Sequence, residues 1–175
     1  MVKQSDALFP ALNALMKKAH VRQSDLALIA VDVGPDSFTG VRVGLSVART
    51  MAQRLGIPLI GVSSLEAMAW NTGAAQRSGL VRPVLPATSG EFFFAVYRAM
   101  KPVVPPRWGS EKELADCRKK FPDAVETNGP PHPSAIAAIA AERFAENPRV
   151  SYFPYEKAAP LYLQPSWAER SKALV

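Results

Sequence analysis

Apolar residues recur at helical spacing near the start of the chain. Spacings of three and four residues place side chains along one stripe of a helix. Within residues 5–19 this stripe consists of Leu8, Ala11, Leu12, Leu15, Met16 and Ala19. Ser5 is a suitable N-cap, and Lys17 and Lys18 lie near the end, where the helix dipole favours positive charge. The pattern predicts an amphipathic helix over 5–19.

A buried strand, a glycine-rich turn and a helix follow. The six apolar residues at 26–31 predict the strand, and residues 34–44 form the turn that leads into the helix. We define the motif loop as Gly34, Pro35, Ser37, Phe38, Thr39, Gly40, Arg42 and Gly44. Backbone N–H groups at such a helix start can bind anions, but neither a Walker loop nor Gly-x-Gly-x-x-Gly is present. A structural turn and a weak anion site therefore both stay open.

The helix predicted over 39–55 has more apolar surface than one sheet can cover. Its narrow polar stripe consists of Arg42, Ser46, Arg49 and Gln53. Most of the remaining surface is apolar, which exceeds the arc of about 100° that packs on a sheet. The second partner of this helix is either another helix of the same chain or another protein.

The same segment carries a family resemblance. The pattern Gly-Pro-x-Ser-Phe-Thr-Gly-x-Arg-x-Gly from Gly34, followed by Gly-Ile-Pro-Leu-Ile-Gly-Val-Ser-Ser-Leu-Glu-Ala from Gly56, resembles the TsaB (YeaZ) family. Those proteins act in making N6-threonylcarbamoyladenosine in transfer RNA. The resemblance implies an α/β, two-lobe fold of the actin/sugar-kinase/Hsp70 (ribonuclease H-like) type. The expected lobes are 1–80, with a return at 160–175, and a smaller one at 81–159.

The resemblance also implies partners. In the family, the helices at 5–19 and 39–55 lie side by side and dock on the catalytic subunit TsaD or on a second copy. The implied partner-interface residues are Leu8, Leu12, Leu15, Met16, Val43, Val47 and Met51. The implied partners are a TsaD-like catalytic subunit, a TsaE-like ATPase, transfer RNA through the complex, and a second copy when the chain is alone. No activity of its own and no cofactor is assigned to the chain, and ATP is considered only for the complex.

The sequence departs from the family in three places. The β-hairpin that opens family members is not found here, so the first lobe is expected to be truncated and the strand at 26–31 to lack a neighbour. A fragment, a shortened paralogue and a sheet completed by another chain all stay open. Asp36 replaces the usual glycine, and a carboxylate there would stabilise the helix start while repelling phosphate. The usual Asp and Arg are also missing from residues 86–91.

The rest of the chain predicts a mixed second unit. A strand at 58–62 and a helix from Ser63 or Ser64 to Trp70 complete the first lobe, and Arg82-Pro83 marks the passage to the second. The further predicted elements are a β-hairpin of 84–87 with 91–100, a proline-rich loop at 102–106, helices at 111–120 and 134–144, strands at 124–127 and from 160, and a charged end at 167–172.

Composition narrows the function classes. The 175 residues are 48% apolar, enough to fill a core. The net charge of +6 suggests nucleic acid, but the tight basic clusters Lys17-Lys18 and 118–120 do not interleave with aromatic residues. The single Cys117 excludes an intrachain disulfide, and no apolar run approaches the length of a membrane span, about 20 residues. We expect a cytoplasmic protein without a membrane partner.

No catalytic constellation is apparent. His20 and His132 are far apart, so a metalloprotease ligand set is missing, and Ser37 lies in no Gly-x-Ser-x-Gly motif. Asp32, at a strand end, is expected to cap a helix or face solvent. Two hypotheses remain. One is a non-catalytic subunit that docks through helices 5–19 and 39–55, and the other is an ATP-using enzyme of the actin/sugar-kinase/Hsp70 type.

Overall fold

The computed structural model describes residues 4–73, 78–149 and 154–164, and side chains from residue 7 onward. These residues form two sheets and five α-helices. In chain order the elements are α1 (Gln4–Ala19), β1 (Ile29–Asp32), α2 (Phe38–Leu55), β2 (Leu59–Val62), α3 (Ser64–Asn71), β3 (Leu80–Pro86), β4 (Glu91–Arg98), β5 (Lys101–Ser110), α4 (Glu111–Lys120), β6 (Val125–Thr127) and α5 (Pro133–Glu146).

The first sheet is a parallel pair, with Ile29 of β1 opposite Leu59 of β2. Alternate residues of a strand point to opposite faces, and both faces of this pair are covered by helices. On one face Leu59 packs against buried residues of α2, while on the other Ile60 packs against α3 and α5. The apolar residues Ile29, Ala30 and Val31 of β1 contact these two cores, whereas the predicted strand residues 26–28 lie before β1 and Ala27 is exposed.

The second sheet has the strand order β5-β4-β3-β6, in which only the β3–β6 pair is parallel. Helix α3 covers one face, where Leu65 packs with Phe93, and helix α4 covers the other, where Leu114 packs with Phe94. The neighbouring phenylalanines of β4 therefore pack into two different cores, one on each face of the sheet. Helix α3 lies between the two sheets, because its Ala67 packs with Ile60 and Val62 of the first sheet and its Leu65 packs on the second.

The proline-rich segment 102–106 was predicted as a loop, and that prediction is wrong. It lies within β5, which is an edge strand whose pairing with β4 contains irregularities next to Val96. An edge strand tolerates proline because one side of its backbone needs no hydrogen-bond partner. The hairpin prediction is confirmed, with β3 and β4 as its strands, but the Arg82-Pro83 step lies inside β3 rather than before it.

Two further predictions differ in detail from the structure. Helix α5 begins at Pro133 and is capped by His132, whose ring accepts from Ser134 N, so Ser134 is not the cap. The segment from Pro160 forms no strand within the described residues, although Leu161 N donates to Val33 O at 2.8 Å. The charged end predicted at 167–172 lies outside the described residues.

Helix α1 differs from the other helices because none of its described side chains is buried. It makes no extensive contact with another element, and α2 packs mainly on β1, β2 and the turn at 155–157. Helix α5 packs on the first sheet although it follows the second, so the lobe limits of 1–80 and 81–159 stay a prediction. None of the described helices has the length and hydropathy to cross a bilayer.

Candidate functional site

The turn after β1 is fixed by one carboxylate. Asp32 Oδ1 accepts from Gly34 N at 2.8 Å and from Ser64 Oγ at 2.7 Å, and Ser64 N donates to Gly34 O at 2.9 Å. Gly34 has a φ of 92°, a backbone conformation that residues other than glycine rarely adopt. Burial raises the pKa of the Asp32 carboxyl. Asp32 is thus neither a cap of α2 nor solvent-facing as predicted, but joins the turn to the start of α3.

The start of α2 is satisfied by the chain's own side chains. Ser37 is the N-cap, and its Oγ accepts from Gly40 N at 3.4 Å. Asp36 Oδ1 accepts from Ser37 N at 2.6 Å. This carboxylate stands where a bound phosphate would use the helix dipole. The arrangement favours the structural interpretation of the motif loop over an anion site.

The motif loop supplies two members of an exposed cluster that we call the aromatic platform: Phe38, Arg42 and Tyr162. The Arg42 guanidinium lies 3.8 Å from the centre of the Phe38 ring, and its Nε donates to Tyr162 Oη at 2.7 Å. The two ring centres are 5.2 Å apart, with the planes inclined by 32°. Sequence analysis missed this cluster because Tyr162 lies 120 positions beyond Arg42.

A cleft of about 750 Å³ lies beside the platform, between the motif loop and the near ends of β3 and β4. Residues 160–164 form its remaining wall. The lining is mainly apolar, and among the described residues it contains one acidic side chain, Asp36, and neither Lys nor Arg. The lining residues outside the motif loop include Val33, Leu85, Phe93, Pro160, Leu161 and Leu163. Such a lining suits apolar groups better than phosphates.

The segment 158–164, which includes the wall residues 160–164, is attached at both of its ends. Arg49 Nε donates to Ala158 O at 3.0 Å, which ties the segment to α2. Gln164 Nε2 donates to Thr88 Oγ1 at 3.2 Å, which ties it to the loop between β3 and β4. The segment therefore connects both sides of the cleft.

The predicted partner-interface residues all lie at the surface or partly so. On α1, Leu15 is 62% exposed, and Leu8, Leu12 and Met16 are half-buried. On α2, Val43, Val47 and Met51 are half-buried and lie away from the buried face of Leu45, Ala48 and Ala52. Phe9, 56% exposed, was missed although it precedes Leu12 by three positions and shares its stripe. The side-by-side packing of the two helices that the resemblance implied is not seen, because α1 makes no extensive contact with α2. We call these eight residues, one stripe on α1 and one on α2, the apolar helix face.

Metal-binding groups do not converge in the described part of the chain. No three His, Cys, Asp or Glu side chains there could jointly hold a metal ion. His132 is engaged with Ser134 at the start of α5, and Cys117 is buried against β4.

Comparison with known proteins assigns the family. Residues 3–161 match the family described as TsaD, tRNA N6-adenosine threonylcarbamoyltransferase. The tRNA threonylcarbamoyladenosine biosynthesis protein TsaB of Bacillus subtilis is 38% identical over 89 residues, which are 51% of this chain and 38% of that protein. The Escherichia coli protein of the same name is 32% identical over 98 residues, 55% of this chain and 42% of its own length. The chain belongs to the TsaB (YeaZ) family, within the TsaD-type proteins. It spans about two fifths of the length of these two TsaB relatives.

The fold of this TsaB family member is shared with a solved structure. YeaZ from Pseudomonas aeruginosa superposes with a TM-score of 0.75 at 21% identity, over 93% of this chain and 86% of that one. The predicted α/β fold of the actin/sugar-kinase/Hsp70 type is confirmed. The family predicted from residues 34–67 is confirmed as well.

Proposed function

We propose that this chain is a non-catalytic subunit in the biosynthesis of N6-threonylcarbamoyladenosine in transfer RNA, and that it docks on a TsaD-like catalytic subunit. The relatives named for this biosynthesis support the general role. A TsaE-like ATPase, transfer RNA held by the complex, self-association of the free chain and a cytoplasmic location belong to the same proposal.

The observation that carries the docking proposal is the apolar helix face. Soluble chains rarely leave contiguous large apolar groups on adjacent surfaces, and such patches mark interaction sites. Here Phe9 and Leu15 are more than half exposed on a helix that contributes no buried side chain to the described core. Covering this face would bury apolar area that folding alone leaves in water.

A second candidate function is nucleotide binding in the cleft. Open α/β sheets bind ligands beyond the carboxyl ends of their strands, and the cleft lies beyond the end of β1. Two features weigh against a triphosphate, namely the Asp36 carboxylate and a described lining without Lys or Arg. Titration with ATP followed by calorimetry tests this candidate, and saturable binding that Gly34→Ala removes would favour it.

A charge placed on the apolar helix face tests the docking proposal. Val47→Asp should weaken the affinity for a TsaD-like subunit by at least about thirtyfold, because it puts an unpaired carboxylate into an apolar contact. Val103→Asp is the matched control, since Val103 is 45% exposed on β5 in the other sheet. Calorimetry gives both affinities, and thermal melting shows that both variants are folded. Equal affinity of the two variants would overturn the proposal.

A further inference from the structure

We propose that the aromatic platform is a contact site for an unpaired base of single-stranded RNA. The site is argued from geometry, and only the choice of RNA as the partner rests on the proposed function. It lies at the mouth of the cleft, on the motif loop and the 158–164 segment, and shares no residue with the apolar helix face.

The rings of the platform are large, exposed and adjacent. Phe38 is 46% exposed and Tyr162 is 51% exposed, and neither ring belongs to a core cluster of the described residues. Single apolar side chains at a surface are ordinary, whereas clustered aromatic rings bring large contact area at low cost in conformational entropy. Two neighbouring half-exposed rings therefore indicate a contact surface.

Contacts within the platform hold its members in place before any ligand arrives. Arg42 spans both rings, stacking on Phe38 and donating to the Tyr162 hydroxyl. Tyr162 is further fixed by its neighbour, because Leu161 N donates to Val33 O. A surface ordered in advance loses less entropy on binding.

The chemistry of the platform matches an unstacked nucleotide. Bases of single-stranded RNA stack on aromatic rings and on arginine planes, while cations attract the phosphates. Arg42 supplies the cation at the platform, and the net charge of +6 on the chain favours the binding of a polyanion. The Asp36 carboxylate, which lies beside the motif loop, accepts from Ser37 N at the start of α2. Bases inside a duplex are stacked on one another, so the platform selects single strands.

Fluorescence anisotropy with a fluorescein-labelled, unstructured RNA oligonucleotide tests the proposal on the full chain. The single strand should bind more tightly than the same sequence in a duplex. Phe38→Leu keeps an apolar side chain but removes the ring, and it should weaken single-strand binding roughly tenfold. Arg42→Lys keeps the charge but removes the planar group, and it should act in the same direction. Val103→Ala, on exposed β5, should leave binding unchanged.

Several results would overturn the proposal. These are no binding of the single strand by the unaltered chain, equal binding of the duplex, or unchanged affinity in both platform variants while melting shows them folded. If Phe38→Leu weakened a TsaD-like partner and not RNA, the platform would be a protein contact instead. The two proposals separate cleanly, since Val47→Asp should leave RNA affinity of the chain unchanged and Phe38→Leu should leave partner affinity unchanged.

Discussion

The second sheet and helix α1 represent opposite ways of using apolar residues. In the second sheet, α3 and α4 cover both faces, and Leu114 of α4 is fully buried. On α1 a longer apolar stripe leaves Leu15 62% exposed. Helix α4 buries its two stripe residues, Leu114 and Cys117, whereas α1 has more apolar residues and buries none of those described. The difference shows that such a pattern indicates a face to be covered, and that the covering partner must be found in the structure.

The largest expected effect comes from a matched pair of leucines. Leu114→Ala should lower the free energy of unfolding by about 2 to 5 kcal/mol, because it leaves a cavity in a packed core. Leu15→Ala should change it by less than about 0.5 kcal/mol, since the side chain is mostly in water already. Urea denaturation of the two variants measures both. Similar losses would show that α1 is packed as tightly as α4.

An intermediate effect is expected at the ion pairs beside the second sheet. Glu126 accepts hydrogen bonds from Arg118 and from the buried Arg82. Both bonds lower the pKa of the Glu126 carboxyl, and the bond from Arg118 has the larger effect. A lowered pKa means stability that is present above the usual Glu pKa, about 4.3, and lost as the pH falls below it.

Glu126→Gln should therefore cost only about 1 kcal/mol at neutral pH, because solvent screens this exposed carboxylate, and should flatten the loss of stability in acid. Denaturation from pH 7 to pH 3 would show it. Parallel curves for the variant and the unaltered chain would exclude a contribution from Glu126.

The smallest effect is expected for Asp32→Asn, in the first sheet. Burial raises the pKa of the Asp32 carboxyl, so folding favours its protonated form, and this contribution to stability is lost as the pH rises through that pKa. Asp32→Asn keeps an acceptor for Gly34 N and Ser64 Oγ without the charge, and should be neutral or stabilising by under about 1 kcal/mol. Asp32→Ala should cost about 1 to 2 kcal/mol, because it leaves Gly34 N–H without this partner. A loss in the asparagine variant equal to that in alanine would contradict this.

Local patterns predicted most of the helices and the β3–β4 hairpin. Helix α2 follows from its apolar spacing and from Gly56, which ends it in a left-handed conformation. Strand β5 was missed because proline content argues for a loop unless the strand is known to lie at a sheet edge, and that position depends on the fold.

The site was less accessible to sequence analysis. The motif loop was found, but the aromatic platform and the Asp32–Ser64 bond join residues that are 120 and 32 positions apart. No periodic pattern in the sequence indicates contacts between residues so far apart. The predicted role of Asp32 was wrong for the same reason, because one of its two hydrogen-bond donors, Ser64, lies at the start of α3.

The central claim is that the apolar helix face docks a partner. Light scattering of this chain, alone and mixed with a TsaD-like subunit from the same cell, tests it most directly. The account predicts a mass equal to one copy of each subunit for the unaltered chain and for Val103→Asp, and separate masses for Val47→Asp. A mass of the unaltered chain that is indifferent to the TsaD-like subunit would contradict it.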